Sequence, residues 1–199
     1  WGRKRKKQDV KGQLIEKIMN RLSQFILDLL GWKVTGLENL DSVRQYVLIV
    51  APHTSNWDFP LGILVRSASG LDHVKYLGKS SLFKGLHGWF FKWLGGYPVE
   101  RNSKNNLVQD CVELLKNQKQ ISIVMSPEGT RKKVAHFKSG FYYIAKGAQI
   151  PICPCKFDYK LKIVDFGKLV YTGNDPETEI LRFEDYFKGV HGKVSKYDF

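Results

Sequence analysis

Apolar residues recur along this chain at two different periods. Between residues 14 and 30 they fall at Leu14, Ile15, Ile18, Met19, Leu22, Phe25, Ile26, Leu29 and Leu30, the spacing of an amphipathic helix, and Gly31 is placed to stop it. Shorter apolar runs, "QYVLIVA" (45–51), "HVKYLGK" (73–79), "QISIVM" (120–125), "IPICPCKFDY" (150–159) and "KIVDFGKLVY" (162–171), predict strands. Helical spacing returns in "WDFPLGILVRSAS" (57–69), "NNLVQDCVELLKNQ" (105–118), "FYYIAKGAQ" (141–149) and "DPETEILRFEDYFKG" (175–189). In the last of these Asp175 suits the cap, Pro176 the first turn and Gly189 the end. The aromatic-rich stretch "SSLFKGLHGWFFKWLGGYPVER" (80–101) predicts one more helix, flanked by glycine pairs and turns. Strands alternate with helices, so the expected fold is a single α/β domain: a central mixed, partly parallel β-sheet flanked by helices, with an N-terminal amphipathic helix. The first unit is residues 1–31 and the domain proper 32–199.

Composition narrows the partners. The chain has 199 residues, 43% of them hydrophobic and 26% charged, as expected of one globular domain. Its net charge of +13 favours anions: nucleic acid, phosphorylated small molecules or an acidic lipid surface. No zinc-finger, RNA-recognition or helix-turn-helix signature accompanies the charge, which disfavours nucleic acid. The three cysteines, Cys111, Cys153 and Cys155, have neither an even count nor metal-ligand spacing, so no disulfide framework and no metal site is expected, and a reducing cytoplasm fits. No run approaches the roughly 20 apolar residues that span a membrane, and no signal-peptide pattern is present.

Two stretches that each follow a strand carry the candidate chemistry. "APHTSNWDFPLG" (51–62) sets His53 five positions before Asp58, where a strand gives way to a helix. An imidazole there can take a proton from a hydroxyl if the carboxylate holds its other nitrogen. Asp58 can equally be an acid that opens a helix, beside a His53 satisfied within a turn. A chance H-x4-D is expected in roughly one chain in four of this composition, so the pair alone does not decide. "SPEGTR" (126–131) adds a turn able to hold a phosphate, with the guanidinium fork of Arg131, the hydroxyl of Thr130 and the close backbone approach that Gly129 permits. Glu128 can order the arginine or accept from a substrate hydroxyl. Two further pieces are weak alone: Arg101 after "GGYPVE", and the prolines of "IPICP" (150–154).

In this order the four stretches resemble the lysophospholipid acyltransferase family. His53 and Asp58 match its H-x4-D motif, Gly96 to Arg101 its second motif, Glu128 to Arg131 its E-G-T-R, and Ile150, Pro151, Ile152, Cys153 and Pro154 its apolar-proline strand. "GKSSLF" matches its lysine-containing segment through Lys79, and "FKSG" (137–140) its F-K-x-G. The resemblance covers about residues 32 to 175 and implies a glycerol-3-phosphate acyltransferase-like fold.

What the resemblance implies is transfer of an acyl group from a thioester, acyl-CoA or acyl carrier protein, to the hydroxyl of a lysolipid, 1-acyl-glycerol-3-phosphate first among them. His53 would be the general base and Asp58 its partner. Lys79, Arg101, Glu128, Gly129, Thr130 and Arg131 would hold the acceptor and its phosphate, and Ile150, Pro151, Ile152 and Pro154 would line the acyl or substrate pocket. No cofactor and no metal are expected. No G-x-S-x-G elbow is present, in keeping with direct attack. A different lysolipid or amino-acid lipid, or water in a thioester hydrolase, remains an alternative acceptor.

The expected location is the cytoplasmic face of the cell membrane, held peripherally on anionic lipid. Leu22, Phe25, Ile26 and Leu29 of the first helix, behind "RKRKK", and Trp89, Phe90 and Trp93 of the aromatic stretch are the candidate interface residues. Packing of either segment on the core is the alternative.

Overall fold

The computed structural model describes residues 2–85, 87–99 and 106–199, with side chains at 14–85, 87–99 and 107–199. In chain order its elements are α1 (Gly2–Leu29), β1 (Lys33–Thr35), β2 (Val47–Ala51), α2 (Asp58–Ala68), β3 (Val74–Lys79), α3 (Gly88–Trp93), β4 (Gly96–Val99), α4 (Asn106–Asn117), β5 (Ser122–Met125), α5 (Gly140–Ala148), β6 (Ile152–Asp158), β7 (Ile163–Phe166) and α6 (Pro176–Phe187). The strands form one seven-stranded sheet in the order β1-β7-β6-β2-β5-β3-β4. Every neighbouring pair is parallel except β6 and β7, so β7 and β1 run against the other five. The expected mixed, partly parallel α/β sheet is the one found.

The crossing pattern positions the site. From β2 the chain moves outward to β3 and β4, returns so that β5 inserts between β2 and β3, and then lays β6 on the other side of β2. Register pairs Ile49 with Met125 and Ala51 with Lys156, so the segments after β2, β5 and β6 emerge side by side at one end of the sheet. Strand alternation splits the core in two. Val47, Ile49 and Ile152 face α4, α5 and α6 with Phe141, Ile144, Phe183 and Phe187. Leu48, Cys153 and Cys155 face the opposite side with Leu27, Trp32, Leu61 and Val65.

Several local expectations are met in atomic detail. Gly31 closes α1 at φ 77°, with its N–H on Asp28 O (3.0 Å) and that of Trp32 on Leu27 O (2.8 Å), the paired bonds of a left-handed helix stop. Asp175 caps α6 by accepting from Thr178 N–H at 3.2 Å, with Pro176 in the first turn.

Other expectations are corrected. The helix expected within residues 80–101 is the six-residue α3, shorter than the stretch suggested, with a 3-10 turn at Ser80–Phe83 before it and strand β4 after it. Gly95 turns the chain at φ 90°, and a Cβ on Gly96 would come within 2.6 Å of the Phe83 ring, so the glycine pair builds a helix-to-strand corner. The strand over 162–171 is broken after Phe166: Gly167 N–H still bonds Pro154 O at 2.7 Å in the β6–β7 register, but proline has no N–H to return, and pairing resumes only at the Ile152–Val170 bridge.

Helix α1 packs along α2 with Leu27 fully buried and Ser23 nearly so. Leu14, Ile15, Ile18, Leu22, Phe25 and Leu29 remain exposed. At 100° per residue these six fall within a stripe about 100° wide, turned away from Ser23 and Leu27. No helix among the described residues is long and apolar enough to cross a membrane.

Candidate active site

At the end of β2 the chain passes a cis Ala51–Pro52 bond and presents His53. Its ring Nδ1 lies 2.9 Å from Asp58 Oδ2. Asp58 stands in the first turn of α2 with a side chain only 4% exposed. The same Oδ2 accepts from Thr54 N–H at 3.0 Å and Ser55 N–H at 2.9 Å, while Oδ1 accepts from the Tyr159 hydroxyl at 2.7 Å. Both readings of Asp58 therefore hold together: it opens a helix, ties up the loop that leads into it and orients the histidine. An ionised carboxylate only accepts, so this contact puts the proton on Nδ1 and leaves the Nε2 lone pair for chemistry.

Glu128 has a different task from the one expected. It is 2% exposed, and its Oε2 accepts from His53 N–H at 2.7 Å and from Ser126 Oγ at 3.1 Å. The carboxylate binds the chain itself: it holds the His53 backbone from the neighbouring strand end. Burial pushes its carboxyl above the ordinary range, opposed by the bonds from His53 N–H and Ser126.

Gly129 sits at φ 64°, and the Lys138 side chain lies across it, so close that a Cβ would come within 2.7 Å of Nζ. Lys138 also donates its N–H to Pro127 O at 2.8 Å, folding residues 127–138 into a closed loop.

His53 lies where two cavities meet. One, of ≈ 200 Å³, is walled by apolar side chains of β2, α2, β5 and β6, including Leu48, Val50, Ile63, Val65, Val124, Cys155 and Phe157. The other, of ≈ 910 Å³, is lined by Ser55, Asn56, Thr130, Arg131 and Lys138 together with Leu107, Val108, Phe141 and Ile144. Arg131 and Thr130 continue into a smaller polar recess with Thr54, Lys132 and Tyr197. An apolar compartment and a cationic one thus share a single imidazole.

The remaining predicted residues distribute as follows. Lys79 is exposed at the end of β3 and lines neither cavity. Arg101 lies outside the described residues. Ile150, Pro151 and Ile152 are buried at the start of β6, and Pro154 lines a separate surface cleft with Asp165 and Tyr186, so none of the four forms the pocket at His53. Register explains the correction: Lys156 pairs with Ala51, which leaves Ile152 roughly 13 Å back along the strand. Strand alternation explains the rest, since Cys155 and Phe157 point to the apolar cavity and Pro154 to the other face. Sequence reasoning missed Tyr159, 101 positions from Asp58, for which no local pattern exists, and underused Lys138, which stood in the quoted F-K-x-G.

Residues 31–158 match a family model described as Acyltransferase. The chain belongs to the acyltransferase family. Among curated relatives of this acyltransferase, the 1-acyl-sn-glycerol-3-phosphate acyltransferase of Saccharomyces cerevisiae is 30% identical over 136 residues, 61% of this chain and 41% of the yeast protein. A Mycoplasma pneumoniae protein named "Probable 1-acyl-sn-glycerol-3-phosphate acyltransferase" is 30% identical over 148 residues, 69% of this chain and 54% of that one. The acyltransferase chain thus spans about half the length of the curated relatives it matches. Its fold is similar to that of the crystal structure of the 1-acyl-sn-glycerophosphate (LPA) acyltransferase PlsC from Thermotoga maritima, with TM-score 0.59 and 19% identity over 91% of this chain and 83% of that one.

The brace role of Glu128 is separable from its charge. A carboxyl raised in the fold stabilises it fully only below the value of the unfolded chain, and that contribution is lost as pH rises through the folded value. At pH 8 the ionised group is a burden, which Glu128→Gln removes while keeping an oxygen for His53 N–H. Thermal unfolding should therefore give Glu128→Gln a melting temperature at or above the parent's at pH 8, with the advantage fading towards pH 4. Glu128→Ala should melt lower at both, by the equivalent of about 1–3 kcal/mol for an orphaned buried donor. If Gln costs as much as Ala, the charge itself is what the site requires.

Proposed function

We propose that this chain transfers a fatty acyl group from an acyl thioester, acyl-CoA or acyl carrier protein, to the free hydroxyl of a 1-acyl-glycerol-3-phosphate-type lysolipid. The observation that carries the reading is His53, with Nδ1 on a buried carboxylate, at the junction of an apolar cavity and a cationic cleft. The acyl chain suits the first compartment. The acceptor phosphate suits the second, where the Arg131 fork, Lys138 and the Thr130 hydroxyl converge.

In this reaction His53 Nε2 takes the proton of the acceptor hydroxyl as its oxygen attacks the thioester carbonyl. Asp58 stabilises the imidazolium so formed. Collapse of the tetrahedral adduct breaks the carbon–sulfur bond, and the departing thiolate recovers the proton from His53, which returns the ring to its starting state. No covalent enzyme intermediate is needed. Holding both substrates against one imidazole turns a two-body encounter into an oriented one. His53→Ala should lower thioester-dependent acylation by about 10²–10⁴-fold with the melting curve unchanged. Turnover near the parent's, read by mass spectrometry of the product, ends the assignment.

The acceptor is a membrane lipid, and the exposed stripe of α1 suits delivery from an anionic bilayer at the cytoplasmic face. Leu22 is 48%, Phe25 62% and Leu29 74% exposed, whereas Ile26 is half-buried at the margin, and Lys17 and Arg21 flank the stripe. Trp89, Phe90 and Trp93 form a second exposed aromatic group on α3. Insertion of apolar side chains below lipid headgroups, with cations above, is the binding mode of interfacial helices. Co-sedimentation with anionic liposomes should fall several-fold in the double variant Phe25→Ser and Leu29→Ser at unchanged melting temperature. Undiminished binding would remove α1 from the interface.

A further inference from the structure

The family match ends at residue 158, one position before a side chain that reaches the dyad. Three of the four bonds to the Asp58 carboxylate converge on Oδ2 and come from residues within five positions of it: His53 Nδ1, Thr54 N–H and Ser55 N–H. The plane of the carboxylate is set by rotation about its Cβ–Cγ bond, which donors on both oxygens restrain from two sides. Oδ1 is fixed from elsewhere, by the Tyr159 hydroxyl at 2.7 Å.

Tyr159 is itself held in place by its surroundings. It follows the last residue of β6, its ring stands edge-on to Trp32 at 4.9 Å, and its N–H donates to His191 O at 2.7 Å. The C-terminal segment containing His191 returns to the motif loop, where Val194 N–H donates to Thr54 Oγ1 at 3.1 Å. That segment is closed on itself by Asp198, which accepts from Gly192 N–H at 2.8 Å and lies 3.1 Å from His191 Nδ1. Tyr159 lines neither cavity at His53 and reaches the dyad only through Asp58.

We infer that Tyr159 is a positioning residue of the His53–Asp58 dyad: its hydroxyl fixes the plane of the Asp58 carboxylate and, through it, the orientation and basicity of the His53 ring. The inference rests on the proposed role of His53 as base. Burial first, then the bond to Asp58 and its charge, push the Tyr159 phenol above its usual range, so the hydroxyl stays a donor at any pH at which the enzyme works. A donor on Oδ1 also tempers the pull of Asp58 on the imidazolium, and His53 must give its proton back in every cycle. Without the hydroxyl the carboxylate becomes the stronger acceptor, and the ring holds its proton more tightly.

The test is Tyr159→Phe, which keeps the ring against Trp32 and removes only the donor. NMR titration of the His53 ring, without substrate, should move its midpoint upward by about half a unit or more. With substrates, kcat should fall about tenfold while both KM values stay within about twofold, the signature of lost alignment at the reacting centre. In an Asp58→Asn background the same change should cost less than about twofold, because partners acting through one group are not additive. An unmoved His53 midpoint in Tyr159→Phe overturns the proposal. So does a loss of kcat as large in the Asp58→Asn background as in the parent, which would make Tyr159 a general support. Absence of acyl transfer in the parent protein would instead sink the proposed function, and the substrate-free titration would still decide whether Tyr159 acts through Asp58.

Discussion

The site depends on a carboxylate that has been taken out of water and given four donors. A buried charge without partners is costly enough to change its ionisation or the fold around it. Asp58 keeps its place because the loop 53–57 wraps its backbone around Oδ2 and Tyr159 closes Oδ1. The loop cannot rearrange without stripping donors from that group, so the histidine it carries is oriented before any substrate arrives. A second buried acid completes the clamp: Glu128 takes the His53 backbone N–H while Asp58 takes the ring. One residue is thus gripped at both ends by acids from two different segments, and among the described residues the nitrogen left without a partner is Nε2, the one a base needs.

Sheet order makes this clamp possible. Because β5 and β6 flank β2, the ends of three parallel strands deliver His53, Glu128 and Tyr159 to one edge, although Glu128 lies 75 positions from His53 and Tyr159 lies 101 from Asp58. Ligand sites in open α/β sheets form at such places, where the strand order reverses beyond the carboxyl ends. The two compartments at His53 follow from the same arrangement. The apolar one opens between the sheet and α2, the cationic one between the sheet, α4 and α5. Chemistry that joins a greasy chain to a charged headgroup needs that separation, with the reacting atoms at the sheet edge between them.

Much of this was legible in the residues, and the failures have physical causes. Helix stops and caps were readable because Gly31, Asp175 and Pro176 act within a single turn. The pairing of His53 with Asp58 was readable because both partners lie in one loop. The role of Glu128 was not, since whether a carboxylate after a strand faces solvent or a neighbouring backbone is set by which strand pairs with β2, and register is a tertiary fact. The same applies to "IPICP": its prolines pointed to a strand, but only pairing shows that Ile150 and Ile152 sit at the far end of the sheet while Cys155 and Phe157 reach the cavity. In α1 the apolar periodicity was correct, yet the helix docks through Ser23 and Leu27 and leaves the richer apolar face to solvent, an inversion that helical spacing alone cannot reveal.

The central claim is that Asp58 dictates which nitrogen of His53 carries the proton before any substrate binds. It is tested most directly by a nitrogen–proton correlation spectrum of the ¹⁵N-labelled histidine ring, recorded at a pH where the ring is neutral. The account predicts one tautomer, with the proton on Nδ1 and a proton-free Nε2. A ring protonated on Nε2, or an even mixture of the two forms, would contradict it.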